Sequence, residues 1–289
     1  MPAIAREFAF PGGPTVNRMG FGAMRLCGPD VWGKPDDSGA ARVVLRRAIE
    51  LGINFIDTAD AYGPECNEEQ IAEALHPYPE GLVIATKGGL VRPPDRSWQR
   101  DGRPVHLREA CEASLRRLRC ERIDLYQLHA PDPNVPFLEQ VRALAQLRDE
   151  GLVAMVGLSN VSVAQLRLAL DLVPIASVQN RFNYADFGHV DVLAECERLG
   201  VAFLPWYPLA VGQLVGTRSP LVDVADELGA TPWQVAIAWL LHLSDVVIPI
   251  PGTSQVAHLE ENVAAAQLEL SEQHMRKLGQ LVDSRIVTG

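Results

Sequence analysis

The 289-residue chain has no Cys-x-x-Cys pair; its 5 cysteines (Cys27, Cys66, Cys111, Cys120, Cys196) are an odd, scattered set. That spacing predicts neither a disulfide framework nor a zinc cluster. A positive excess is missing too. There are 26 Lys plus Arg against 36 Asp plus Glu, a net charge of −10, which argues against a nucleic-acid groove built on clustered cations. Long apolar runs are absent: the most apolar stretch, Val235 to Pro251, is broken by His242, Ser244, Asp245 and Pro249 and is no bilayer span. Met1 to Glu7 has no basic region leading into an apolar core, so a cytoplasmic protein without membrane contact is expected. No Gly-x-Gly-x-x-Gly follows the first strand and no Walker loop occurs, which excludes Rossmann and P-loop readings.

The remainder is ordinary globular composition, 47% hydrophobic and 21% charged, which excludes wholesale disorder. Short Val/Ile/Leu runs alternate with amphipathic stretches at helical spacing. The strand–helix pairs are Phe21–Met24 with Ala40–Leu51, Ile53–Asp57 with Asn67–Leu75, Leu82–Thr86 with Leu107–Leu118, and Ile123–Leu128 with Pro136–Arg148. They continue as Val153–Gly157 with Val163–Leu170, Ile175–Gln179 with Val190–Leu199, Val201–Pro205 with Leu221–Leu228, and Val246–Ile250 with Val256–Ala265. Eight such units predict an α/β fold, a (β/α)8 TIM barrel, as a single domain over residues 1–289. Gly52, Gly81, Gly151 and Gly200 sit where left-handed C-caps are wanted. Phe8–Val16, with Pro11-Gly12-Gly13-Pro14 inside it, reads as an N-terminal β-hairpin cap. Pro232–Leu241 and Ser271–Leu281 are two extra helices.

Such a barrel carries its site at the strand C-termini. Asp57 ends the second strand, Lys87 follows the third and His129 the fourth, with Tyr62 in the loop after Asp57. A Tyr is a poor acid at its unperturbed pKa of about 10. A nearby ammonium such as Lys87 lowers it, Asp57 keeps that ammonium charged, and a neutral His129 orients a carbonyl. The set suits protonation of a carbonyl oxygen during attack on its carbon. Elsewhere, Ile250-Pro251-Gly252-Thr253-Ser254 runs from a strand into a helix N-terminus suited to phosphate. That helix carries His258, Glu261 and Asn262. Trp206 offers a stacking surface, and Ser159, Asn160 and Gln179 suit a carboxamide, which together point to a nicotinamide nucleotide.

These motifs resemble the aldo-keto reductase superfamily along the whole chain. They are Gly20-Phe21-Gly22-Ala23-Met24, Phe55 through Gly63, Ala85-Thr86-Lys87, Leu125 through His129, Val156 through Asn160, Val178-Gln179-Asn180, Pro208-Leu209-Ala210, and Ile250 through Ser254 with Leu259 through Asn262. The resemblance implies NADPH-dependent reduction of a small-molecule carbonyl, with Asp57, Tyr62 as acid, Lys87 and His129 as the catalytic tetrad. It also implies cofactor contacts at Gly22, Met24, Ser159, Asn160, Gln179, Trp206, Pro208, Leu209, Gly212, Ile250, Gly252, Thr253, Ser254, His258, Glu261 and Asn262. The wording around Met24, Trp206 and Thr253–Leu259 is similar to bacterial reductases of the pyridoxal reductase type.

Two positions depart from the family pattern. Many members carry a basic residue where Gly252 stands and an Arg where His258 stands; no Arg or Lys occurs between Gly252 and Leu270, which leaves NADH as the alternative to NADPH. Trp206 stands where Tyr or Phe is commoner. Trp32 and Trp98, in loops after the first and third strands, are candidate substrate contacts. Arg92, Arg96, Arg100 and Arg103 read as a solvated loop rather than an anion site, and no metal site is predicted. The other function classes considered are a weakly active nucleotide-sensing or regulatory subunit, and a hydrolase or aldolase using Lys87 as a Schiff base. The latter has no use for Ser159, Asn160 and Gln179.

Overall fold

The computed structural model describes residues 6–209 and 219–286. Seven parallel strands form one curled sheet: β3 (Phe21–Gly22), β4 (Phe55–Asp57), β5 (Val83–Gly88), β8 (Ile123–Leu128), β9 (Val153–Ser159), β10 (Ile175–Gln179) and β11 (Ala202–Phe203). They pair in chain order from β3 to β11, each strand beside its sequence neighbour as in a strand–helix barrel. Val, Ile and Leu recur in the longer strands, and β5 is buried along its full length, as befits strands covered on both faces. Between them run α1 (Ser38–Glu50), α2 (Cys66–Leu75), α3 (Pro104–Leu118), α4 (Phe137–Asp149), α5 (Val163–Leu170) and α6 (Val190–Leu199). After β11 come α7 (Pro220–Leu228), α8 (Pro232–Leu243), α9 (Val256–Ala264) and α10 (Glu272–Ile286). No helix among the described residues is long and apolar enough to cross a membrane.

Local chemistry sets the boundaries. Ser162 with Gln165, and Thr231 with Gln234, form capping boxes at the starts of α5 and α8, each satisfying two otherwise orphaned donors. The four glycines expected to end helices all have positive φ, between 66° and 91°. The N-terminal hairpin pairs β1 (Glu7–Ala9) with β2 (Thr15–Asn17), Phe8 opposite Val16. Phe10 packs on Phe55 at the N-terminal end of β4 with ring centroids 6.1 Å apart, so the hairpin covers the sheet end away from the strand C-termini.

The expected eighth strand, Val246–Ile250, is not a ladder strand. Pro249 and Pro251 lack the N–H that a ladder needs. The segment nonetheless bonds in both directions: Phe203 N donates to Val246 O (2.8 Å), Ile248 N to Phe203 O (2.9 Å), and Gly20 N to Pro249 O (2.9 Å). Buried Arg18 fastens it further, donating to the carbonyls of Leu241, Ser244 and Val247 and pairing with Asp245. At its end Gly22 and Gly252 face each other backbone to backbone. A Cβ on Gly22 would lie 2.7 Å from Ile250 O.

One element escapes the sequence reading. The polar stretch after β5 contains a small antiparallel hairpin, β6 (Leu90–Val91) and β7 (Gln99–Arg100), with Trp98 immediately before β7.

Candidate active site

Asp57, Lys87 and His129 stand at adjacent strand ends because β4, β5 and β8 are neighbours in register, Asp57 beside Ala85 and Lys87 beside Gln127. Lys87 is fully buried, and its Nζ donates to Asp57 Oδ2 (2.7 Å), Thr58 O (2.9 Å) and Tyr62 Oη (3.4 Å). All three ammonium hydrogens are thereby used. Asp57 Oδ1 accepts from Gln179 Nε2 (2.8 Å) and Gln127 Nε2 (3.2 Å). A buried ion pair with its spare lone pairs satisfied is the arrangement that burial of charge demands.

The Tyr62, His129 and Trp98 rings meet edge to face, with centroids 5.7 to 6.3 Å apart. Together with Asp57 they line a cavity of about 470 Å³, within the usual size range of small-molecule sites. A more open groove of about 620 Å³ runs beside the loop 131–137 and meets the cavity at Asn160; it contains none of the four tetrad residues.

The sequence reading expects Lys87 to lower the Tyr62 pKa. The opposite direction prevails: burial pushes the phenol well above the ordinary tyrosine range, and the Asp57 charge adds to it. Burial likewise lowers the Lys87 ammonium, against the pull of Asp57. His129 is driven well below the ordinary histidine range by burial and then by the Lys87 charge. The resting site therefore holds a protonated phenol beside a neutral imidazole.

On the other wall, Asn160 adopts φ 59°, a left-handed conformation that Asn tolerates. Its Nδ2 donates to His129 O and Ser159 Oγ, both at 3.0 Å, and its Oδ1 accepts from Trp206 Nε1 at 3.1 Å. Gly22, Met24, Ser159, Asn160, Gln179, Trp206, Pro208, Leu209, Ile250 and Gly252 all reach the same cavity. Gly212 lies outside the described residues.

Thr253 and Ser254 precede α9, His258, Glu261 and Asn262 lie within it, and none of the five lines the cavity. Thr253 Oγ1 accepts from Gln255 N (3.1 Å), and Glu261 Oε1 accepts from Thr231 Oγ1 (2.5 Å). Of the two candidate substrate tryptophans, Trp98 lines the cavity and Trp32 does not.

Arg25, Leu90, Tyr207 and Gln127 were not singled out in the sequence. Arg25 lines the cavity, and its Cγ lies 3.5 Å from where a Cβ on Gly252 would stand, so a cation does flank the Gly252 segment. Gln127 had a signal: it is polar within a buried strand and two residues before His129, hence on the same face.

The residues fit a nicotinamide nucleotide. The cavity lining supplies the donor set: the Trp206 ring, the Ser159 hydroxyl, the Asn160 and Gln179 amides, and the Arg25 cation.

Comparison with known proteins agrees. The Aldo/keto reductase family model matches residues 18–283. An uncharacterized oxidoreductase of Schizosaccharomyces pombe is 49% identical over 92% of this chain and 87% of its own length. Pyridoxine 4-dehydrogenase of Escherichia coli is 44% identical over 92% of this chain and 95% of its own. An aldo/keto reductase of Klebsiella pneumoniae, solved in complex with NADP and acetate, superposes with a TM-score of 0.80 at 26% identity, covering 96% of this chain and 95% of that one. The chain belongs to the aldo/keto reductase family and is an NAD(P)H-dependent oxidoreductase.

Proposed function

We propose that the protein reduces an aldehyde or ketone to the alcohol with NADPH, and that Tyr62 is the general acid. The observation that carries this reading is the position of Lys87 Nζ, 2.7 Å from Asp57 Oδ2 and 3.4 Å from Tyr62 Oη. The carbonyl oxygen accepts hydrogen bonds from the Tyr62 hydroxyl and from neutral His129. Burial holds the Tyr62 proton in place until the oxygen becomes basic enough to take it. The phenolate left behind is stabilised by the Lys87 ammonium, which Asp57 keeps charged and oriented. When bound, the reduced nicotinamide supplies the hydride to the carbonyl carbon.

Trp206 would stack on the nicotinamide ring, and Ser159, Asn160 and Gln179 would serve its carboxamide. Gly22, Met24, Arg25, Pro208, Leu209 and Gly212 would hold the ribose and pyrophosphate. Ile250, Gly252, Thr253, Ser254, His258, Glu261 and Asn262 would hold the adenosine end. The complex of the Klebsiella relative with NADP supports the choice of NADPH, and the 44% identity to pyridoxine 4-dehydrogenase supports an aromatic, pyridoxal-like carbonyl. The scaffold in this reading is a single-domain closed (β/α)8 barrel, supported by the bonds from 246–250 to both neighbouring strands. Five unpaired cysteines support a reducing, cytoplasmic location.

The test is a panel of aldehydes and ketones, pyridoxal included, assayed with NADPH and NADH at matched concentrations. Turnover with a higher kcat/KM for NADPH is expected. No carbonyl reduction with either cofactor would overturn the activity, and a preference for NADH would overturn the cofactor assignment.

A further inference from the structure

Arg92 does not belong to a solvated loop. It is 8% exposed, and among the described residues it makes no ion pair with a carboxylate. Its guanidinium carbon lies 3.9 Å from the Trp98 ring centroid and 5.5 Å from that of Trp32, while Arg96 lies 5.6 Å from Trp32. The result is a run of cation–ring contacts, Arg96 to Trp32, Trp32 to Arg92 and Arg92 to Trp98, whose last member meets Tyr62 and His129 edge-on.

The nitrogens of Arg92 donate to three backbone carbonyls: Asp30 O (3.0 Å), Val31 O (3.3 Å) and Arg96 O (3.2 Å). All three acceptor residues have positive φ, 57°, 56° and 63°. For Val31, a β-branched residue, that conformation is a true outlier, and strain of this kind persists only where its surroundings fix it. Val31 O also accepts from Gly63 N (3.2 Å), and Gly63 directly follows Tyr62. One planar side chain therefore joins the loop after β3 to the loop after β5, and through Val31 to the loop that carries Tyr62. Trp98 itself is 45% exposed and lines the cavity, so Arg92 covers one indole face while the residue still presents surface to the cavity.

We propose that Arg92 is a positioning residue that fixes Trp98 as a flat wall beside Tyr62 and His129, and that this wall selects planar aromatic aldehydes over aliphatic ones. The inference rests on the reading of this cavity as the carbonyl site. Stacking against a fixed aromatic plane favours a planar ring and offers a short alkyl chain little.

The experiment compares kcat/KM for benzaldehyde and propanal, with NADPH, in the wild type, Arg92→Met, Arg92→Lys, Trp98→Ala and the Arg92→Met/Trp98→Ala double variant. The wild type prefers benzaldehyde. Arg92→Met lowers the benzaldehyde-to-propanal ratio about tenfold, a change of the size that cation–π and stacking contacts support, and does so chiefly through KM. Arg92→Lys fails to restore the ratio, because an ammonium lacks the planar fork that serves three carbonyls and a ring face at once. Trp98→Ala lowers the ratio as far, and adding Arg92→Met lowers it no further.

An unchanged ratio in Trp98→Ala, or equal losses on both aldehydes in Arg92→Lys, would overturn the proposal while leaving the carbonyl-reductase reading intact. If Arg92→Met fails to fold, the Arg92→Lys and Trp98→Ala ratios decide alone. A wild type that reduces neither aldehyde overturns the selectivity proposal, and the wider carbonyl panel with both cofactors decides the carbonyl-reductase reading separately.

Discussion

Gln179 donates its Nε2 hydrogen to Asp57 Oδ1 over 2.8 Å, across 122 residues of sequence. The side chain expected to hold a nicotinamide carboxamide thus also serves the carboxylate that orients Lys87. The two roles separate kinetically. Gln179→Leu leaves a buried acceptor short of a donor, at a cost of roughly 1–3 kcal/mol, and should lower kcat about tenfold. Steady-state kinetics with a fluorescence titration of NADPH checks this. A higher KM for cofactor with unchanged kcat would mean that Gln179 serves the cofactor alone.

Lys87→Met leaves Asp57 buried and without its cation. Breaking a buried pair on one side costs roughly 3–5 kcal/mol. The double variant Asp57→Asn/Lys87→Met removes both charges and should regain most of that stability without regaining turnover. Denaturant unfolding of the two variants makes the comparison, and a double variant as unstable as the single one would contradict it.

The pH dependence follows from the two shifted groups. His129 has its pKa lowered well below the ordinary 6.5, so its imidazole stays neutral on both sides of that value. Tyr62 is raised well above the ordinary 10.0, so it remains a competent acid up to and beyond that pH. The profile of log kcat/KM for reduction should therefore be flat from about pH 6 to pH 9, without a break at the ordinary histidine value. Stability carries the same sign for His129. Between its folded and unfolded pKa values the unfolded chain binds more protons, so this contribution is full above about pH 6.5 and is lost as pH falls below it. A kinetic break near 6.5 that vanishes in His129→Gln would refute the assignment.

Gly22 allows the end of β3 to meet the Ile250–Gly252 backbone. In Gly22→Ala the new Cβ falls 2.7 Å from Ile250 O, so backbone must shift, and overpacking of this kind costs roughly 1–3 kcal/mol. The expected outcome is a lower unfolding free energy together with a weaker dissociation constant for NADPH, measured by denaturant titration and fluorescence. Unchanged values for both would show that the close approach is irrelevant to stability and to the cofactor.

The strand ends were legible because each is a polar residue closing an apolar run: Asp57, Lys87, His129, Ser159 and Gln179 all reach one region of the structure. The Pro-interrupted segment 246–250 has strand-like hydrophobicity, yet its prolines remove ladder donors, a cost that apolar content does not reveal. Arg92 was hidden for a different reason. Charge in a polar loop ordinarily means solvation, and only the folded proximity of Trp32, Trp98 and the Asp30–Val31 carbonyls buries Arg92. The direction of the Tyr62 shift was also beyond local spacing. It depends on how much of the ring the assembled cavity covers, and burial there outweighs the neighbouring ammonium.

The most direct measurement is NADPH oxidation with benzaldehyde by the wild type and by Tyr62→Phe, alongside the cofactor dissociation constant of each. The account predicts a loss in kcat on the order of 10²- to 10⁴-fold with cofactor binding retained, because the phenol donates the proton and does not hold the nucleotide. Turnover by Tyr62→Phe within a few-fold of the wild type would contradict it.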